Sequence, residues 1–351
     1  MTQSQREQAL KFPATRYAGS KRKLLSFLHG VFCELEFSSA LDPFCGSGAV
    51  AYLLKCMGKR VTASDALQFN AVCARALIAN PSVRLNDTLS TLLRGIPLTS
   101  EPAGFVETAF HDIFFTPDEN RFIDQALARI HTLPPEACDM ARWCLFQACL
   151  LKRPYNLFHR ANLSMRTNDV PRSFGNKATW DTPFDVHLKK LALQADNAIF
   201  DSGVSCCAAW GEALSLNPAG FDLVYLDPPY INAKGSGVDY LDHYHFLDGL
   251  LLGPQWGDRI LHKFRHKPLA GKGGNPWTDP ARIHGEFQRT IGHFAGSTLV
   301  ISYRSDGIPS IEDICGYLRN AGKQVRVFET ATYTYALSTN RTSREVVILG
   351  K

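Results

Sequence analysis

Ala40-Leu-Asp-Pro-Phe-Cys-Gly-Ser-Gly-Ala-Val-Ala-Tyr-Leu-Leu-Lys-Cys-Met-Gly58 passes from the end of an apolar strand, through a glycine turn, into a helix. Ala40 to Asp42 close the strand, Gly46 to Gly48 make the turn, and Ala49 to Met57 carry a helix stopped at Gly58. Arg60-Val-Thr-Ala-Ser-Asp65 then reads as a second strand, and Ala66 to Asn80 as a second helix ended before Pro81. This βαβα order demands parallel strands. Only glycine allows the tight turn and close ligand approach at this junction, and Gly46, Gly48 and Ala51 fit G-x-G-x-x-G/A. Asp65 stands 17 residues beyond Gly48, where a carboxylate can hold the ribose hydroxyls of an adenosine-containing cofactor. On these residues alone a nicotinamide enzyme fits as well. A Walker A phosphate loop is excluded, because its lysine-bearing glycine motif is absent.

A second block begins at Phe221-Asp-Leu-Val-Tyr-Leu-Asp227, a strand apolar enough to be buried on both faces. It continues through Ser297-Thr-Leu-Val-Ile-Ser-Tyr303 and a helical segment from Ile311 to Asn320. Gln324-Val-Arg-Val-Phe328 and Arg344-Glu-Val-Val-Ile-Leu349 are candidate strands of an antiparallel edge. The expected fold is α/β, a doubly wound Rossmann-like sheet formed by residues 1–95 and 200–351. A mainly helical, loop-rich insertion at 96–199 separates the two parts.

The 351 residues are 45% hydrophobic and 20% charged, an ordinary globular composition that excludes a disordered or fibrous chain. No apolar run reaches the roughly 18 residues that cross a bilayer, and the polar start predicts a cytoplasmic protein. Ten cysteines without a CxxC pair predict reduced thiols and no metal site. The net charge of +5 is unevenly placed. From Leu151 to Phe200 eight Lys/Arg face four Asp, and from Gln255 to His293 seven face three acids. Two basic stretches on an otherwise acidic chain point to a polyanionic partner.

Asp227-Pro-Pro-Tyr230 ends a buried strand, at the carboxyl edge where open α/β sheets bind ligands. Pro228 and Pro229 remove two backbone donors and stiffen the turn, so that carbonyls and the Asp227 carboxylate converge as acceptors on an amino group. Tyr230 offers a flat face to a planar heterocycle. An exocyclic amine conjugated to such a ring is a poor nucleophile, and acceptors on its hydrogens draw the lone pair out of conjugation.

With Arg16-Tyr-Ala-Gly-Ser-Lys21, Asp42 to Gly48, Asp65, Trp210-Gly-Glu212 and Asp227 to Tyr230 in this order, the chain resembles the D12 class of N6-adenine DNA methyltransferases, to which the Dam enzymes belong. The resemblance implies transfer of a methyl group from S-adenosylmethionine to N6 of a flipped-out adenine in double-stranded DNA. It implies that Asp227, Pro228, Pro229 and Tyr230 are catalytic. Tyr17, Gly19, Ser20 and Lys21 would meet the methionine part of the cofactor, with Lys21 facing its carboxylate. Asp42, Pro43, Phe44, Gly46 and Gly48 would form the cofactor loop, Asp65 would bind the ribose, and Trp210 and Glu212 the adenine. Glu212 departs from the family, which more often has Asp there.

The family order places target recognition in the middle of the chain, where Arg153, Asn156, His159, Arg160, Asn162, Arg166, Arg172 and Lys177 are the expected DNA-binding residues. Arg and Asn can make bidentate base contacts, while Lys mainly neutralises phosphate. Tyr155, Phe158, Phe174 and Trp180 are interleaved with them. Lys263, Arg265 and Lys267, with the Gly271 to Asn275 loop, are expected to track the DNA backbone, and Arg304 either approaches substrate or caps a loop. A monomer working beside a separate restriction endonuclease is the expected context. An RNA adenine-N6 methyltransferase and a non-catalytic DNA-specificity subunit are the alternatives.

Overall fold

A computed structural model describes residues 2–93, 103–170, 176–271, 273–329 and 343–351. Its strands are β1 (Ser39–Asp42), β2 (Arg60–Asp65), β3 (Cys207–Trp210), β4 (Leu223–Leu226), β5 (Ile231–Asn232), β6 (Thr298–Arg304), β7 (Gly307–Ile308), β8 (Val325–Glu329) and β9 (Glu345–Gly350). Seven form one sheet in the order β3-β2-β1-β4-β6-β9-β8, and β5 pairs with β7 alone. Strand β9 is antiparallel to β6 and β8, while the other pairings of the sheet are parallel. This is the doubly wound Rossmann-like sheet expected from the sequence. Strand β3 was not foreseen, because Cys207-Ala-Ala-Trp210 is short, built of small residues and only partly buried at the edge.

Alternation along the central strands feeds two cores. Ala40, Leu223, Tyr225, Val300 and Val347 face one side. Leu41, Val224, Leu226, Leu299, Ile301, Val346 and Ile348 face the other. The first side is covered by the helices Leu25–Cys33, Ala49–Cys56, Gln68–Ala74 with its π-helical continuation Arg75–Ala79, and Pro135–Leu151. The second is covered by Ile283–His293 and Ile311–Asn320. Helix Pro135–Leu151 packs on residues 68–79 and on helix Phe184–Ala198, so the first core runs without a break into the middle of the chain.

Several cations expected to face DNA are instead interior. Arg153 is 1% exposed, and its guanidinium donates to the carbonyls of Leu157 (3.1 Å), Phe114 (3.3 Å) and Arg160 (2.8 Å) and to Asn162 Oδ1. Arg166 donates to Glu119 Oε1 (2.6 Å) and to the carbonyls of Phe114 and Trp180, and Lys152 meets the same carboxylate at 2.9 Å. Buried carbonyls need donors, and a rigid guanidinium fork supplies several at once. The expectation of DNA contact at Arg153 and Arg166, and at Asn162 whose amide is taken by Arg153, is corrected accordingly. Phe158 and Trp180 are core residues, and Tyr155 is half exposed. Arg172 and Phe174 lie outside the described residues.

Arg153→Ala strips three buried carbonyls of a donor at roughly 1 kcal/mol or more each, so it is expected to cost about 3 kcal/mol of unfolding free energy in urea titration. Arg160→Ala, at an exposed side chain, is expected to stay within about 0.5 kcal/mol.

Candidate active site

The carboxyl ends of β1 and β4 lie side by side where the strand order reverses, and a cleft of about 1350 Å³ opens above them. Gly46 and Gly48 turn the chain with φ of +48° and +79°. A Cβ on Gly46 would come within 2.9 Å of the Tyr17 ring. Asp65, at the end of β2, clamps this turn: Oδ2 accepts from Gly46 N–H and Oδ1 from Leu67 N–H, each at 2.9 Å. Tyr17 stacks on Tyr244 (4.9 Å between centroids) and Tyr240 (5.6 Å), and the hydroxyls of Ser20 and Ser47 lie 3.0 Å apart. The amino-terminal segment is thereby fastened to the glycine loop. Asp42 is 1% exposed and its Oδ1 has no hydrogen-bond partner; burial, then the charges of Asp227 and Asp65, push its carboxyl well above the usual range.

Four side chains meet at the other end of the cleft. Lys21 Nζ lies 2.7 Å from Asp227 Oδ1, 3.4 Å from Glu345 Oε1 and 4.9 Å from the centre of the Tyr230 ring. The Tyr230 hydroxyl lies 2.7 Å from Asp227 Oδ1 and 2.7 Å from Glu345 Oε1. Burial opposes the Lys21 charge, yet Asp227 and Glu345 outweigh it and hold the ammonium pKa above its ordinary value. Burial raises the Asp227 carboxyl, with Lys21 pulling the other way. Lys21, expected to face a cofactor carboxylate, lines the cleft and is engaged in this buried ion pair. Beyond it an aromatic wall runs edge to face from Tyr230 through Tyr303 and Phe287 to Trp277 and Phe44.

Trp210, 58% exposed, and Glu212 line the opposite arm, where Trp210 Nε1 donates to the Ala66 carbonyl at 3.0 Å. The segments picked from the sequence, Tyr17 to Lys21, Asp42 to Gly46, Asp65, Trp210 to Glu212 and Asp227 to Tyr230, therefore share one cleft. The sequence pattern of D12 class N6 adenine-specific DNA methyltransferases matches residues 17–248. The chain belongs to that family. Over 334 residues it is 25% identical to the Type II methyltransferase M2.HphI of Haemophilus parahaemolyticus, with 91% of each chain covered.

The protein is thus an adenine-specific DNA methyltransferase, and DNA is its substrate. Glu345 and Trp277, which sequence reasoning missed, lie beyond the matched span of this methyltransferase. A signal for Glu345 did exist, an acid heading the apolar run Val-Val-Ile-Leu; Trp277 sits in a Gly/Asn/Pro-rich loop that carries none. Among the described residues, none of those expected to bind DNA lines the cleft. His159 adjoins it through His243, whose ring centre lies 4.8 Å away. Burial, then His243, lowers the His159 pKa to about 4, so the ring is neutral at pH 7. Arg160 and Lys177 are exposed, the latter paired with Asp181 at 2.8 Å, and Asn156 is half-buried. Among the described residues no group of three or more His, Cys, Asp or Glu could hold a metal ion, and no helix is long and apolar enough to cross a membrane.

Asp248 lines the cleft and accepts from Phe69 N–H at 2.8 Å, while burial pushes its carboxyl up to about 7. Between its ordinary value of 3.8 and about 7 the folded protein keeps a proton that the unfolded chain has lost, so this group makes stability fall as pH rises through that window. Asp248→Asn keeps the acceptor and removes the titration. Denaturant melts from pH 4 to 8 are expected to show the variant gaining on the parent by on the order of 2 to 4 kcal/mol.

Proposed function

We propose that this enzyme transfers the methyl group of S-adenosylmethionine to N6 of an adenine turned out of double-stranded DNA. The observation that carries this reading is the shared cleft, with the Asp227 acceptor and the Tyr230 ring at one end and the glycine turn, Asp65 and Trp210 at the other. The residues present fit the cofactor. The orphaned Asp42 Oδ1 and the glycine turn offer an acceptor and a close backbone approach, and exposed Trp210 offers a ring face beside Glu212. Asp65, held by its backbone donors, keeps acceptor capacity for ribose hydroxyls at the end of β2. When bound, S-adenosylmethionine supplies a methyl group activated by a sulfonium.

Lys21 holds the Asp227 carboxylate in place, and Asp227 accepts from the N6 amino group and directs its lone pair. Tyr230 stacks on the extruded base, returning about 1 to 3 kcal/mol of the few kcal/mol that unstacking costs. No enzyme-bound covalent intermediate is needed for direct in-line displacement. Residues 96–199 serve target recognition, with base and phosphate contacts assigned to exposed Arg160 and Lys177 and to half-buried Asn156 and His159. Exposed Lys263 and Arg265 extend that surface. Likeness to a Type II methyltransferase supports a restriction-modification role, beside a separate endonuclease.

Asp227→Ala is expected to abolish methyl transfer to duplex DNA from radiolabelled S-adenosylmethionine while leaving DNA affinity almost unchanged. Near-normal turnover, or label on RNA rather than DNA, overturns the reading. Each phosphate-contacting cation releases counterions, so Arg160→Ala and Lys263→Ala are each expected to lower the slope of log affinity against log salt by about 0.9. An unchanged slope in both removes this surface from the DNA interface.

A further inference from the structure

Glu345 lies 115 residues beyond Tyr230, at the start of β9, with its side chain fully buried. A carboxylate placed in an otherwise apolar strand is strongly destabilising unless it is paired. Two of its partners belong to the corner around Asp227: the Tyr230 hydroxyl at 2.7 Å and the Lys21 ammonium at 3.4 Å. The same hydroxyl lies 2.7 Å from Asp227 Oδ1. A phenol has one proton and cannot donate to both carboxyls at once. Donation to Asp227, together with Lys21, fills both lone pairs of Oδ1 and leaves the target amine only Oδ2.

We propose that Glu345 is a positioning residue for methyl transfer, the alternative acceptor to which the Tyr230 hydroxyl turns when an adenine amino group takes its place on Asp227. The proposal rests on the reaction assigned above. No proton leaves the tyrosine; the O–H rotates from one carboxyl to the other. Glu345 thus frees Asp227 while keeping the Tyr230 ring oriented to stack, and its weaker contact with Lys21 steadies the ammonium that holds Asp227.

The test uses the full chain, unmethylated genomic DNA and saturating S-adenosylmethionine in single-turnover assays. Glu345→Ala is expected to slow methyl transfer about 10- to 100-fold, the scale of a small misplacement at a reacting centre, with DNA and cofactor affinities unchanged. Glu345→Gln, which keeps volume and an acceptor oxygen, is expected to recover most of that loss. In a Tyr230→Phe background Glu345→Ala is expected to cost much less than it does in the parent, because the hydroxyl it serves is gone and only its longer contact with Lys21 is left to lose. Fully additive losses, or Glu345→Ala turning over like an active parent, overturn the proposal and leave the assigned reaction standing. A parent that transfers no methyl overturns the assigned reaction. The contact is then judged without turnover, by the fluorine resonance of 3-fluorotyrosine at position 230, identified by its loss in Tyr230→Phe. Glu345→Gln is expected to shift that resonance in substrate-free protein, and no shift overturns the role of Glu345.

Discussion

A single buried ammonium, Lys21, balances a concentration of carboxyls. Asp227 and Glu345 touch it, Asp42 feels its charge, and Asp65 lies close enough to raise the Asp42 carboxyl further. Carboxyls that repel one another in a low-dielectric cleft stay ordered only if each has a fixed partner. The architecture supplies those partners from distant parts of the chain. Gly46 and Leu67 backbone donors hold Asp65, the tyrosine stack carries Tyr17 and the segment leading to Lys21 against the glycine loop, and antiparallel β9 delivers Glu345. Loss of Lys21 or of the backbone donors to Asp65 would leave an acid uncompensated in the site.

Much of this was legible in the sequence because its signals are local. Glycine turns, period-two apolar runs and Asp227-Pro-Pro-Tyr230 each state their conformation within a few residues, and the parallel sheet and the cleft follow from their order. The insertion was harder to read. An arginine serves buried carbonyls or a phosphate with the same chemistry, and nothing near Arg153 in the chain announces that Phe114, Leu157 and Arg160 need donors. Charge counting therefore located a basic stretch but could not separate its interior cations from exposed Arg160 and Lys177. Strand β3 escaped for a related reason, since its pairing with β2 is long-range and its residues are small.

Glu345 illustrates the reverse case, in which sequence supplies an anomaly and only the fold supplies its meaning. An acid at the head of an apolar strand reads locally as a strand end. Its register opposite Arg304 places it next to the catalytic loop of β4, across the sheet from the glycine turn of β1. The antiparallel strands thus do more than close the sheet, for β9 reaches the corner around Asp227.

If residues 96–199 serve target recognition as proposed, the unbroken core between the sheet helices and Pro135–Leu151 bears on how specificity can change in this protein. A segment that merely sat on the surface could be exchanged between relatives as a cassette. Here, removing residues 96–199 would strip one wall from the core that supports Ala49–Cys56 and residues 68–79, and with it the glycine turn. On that reading, new sequence preference is most accessible by grafting the exposed side chains Tyr155, Arg160, Asn176 and Lys177, over an interior that has to be inherited whole.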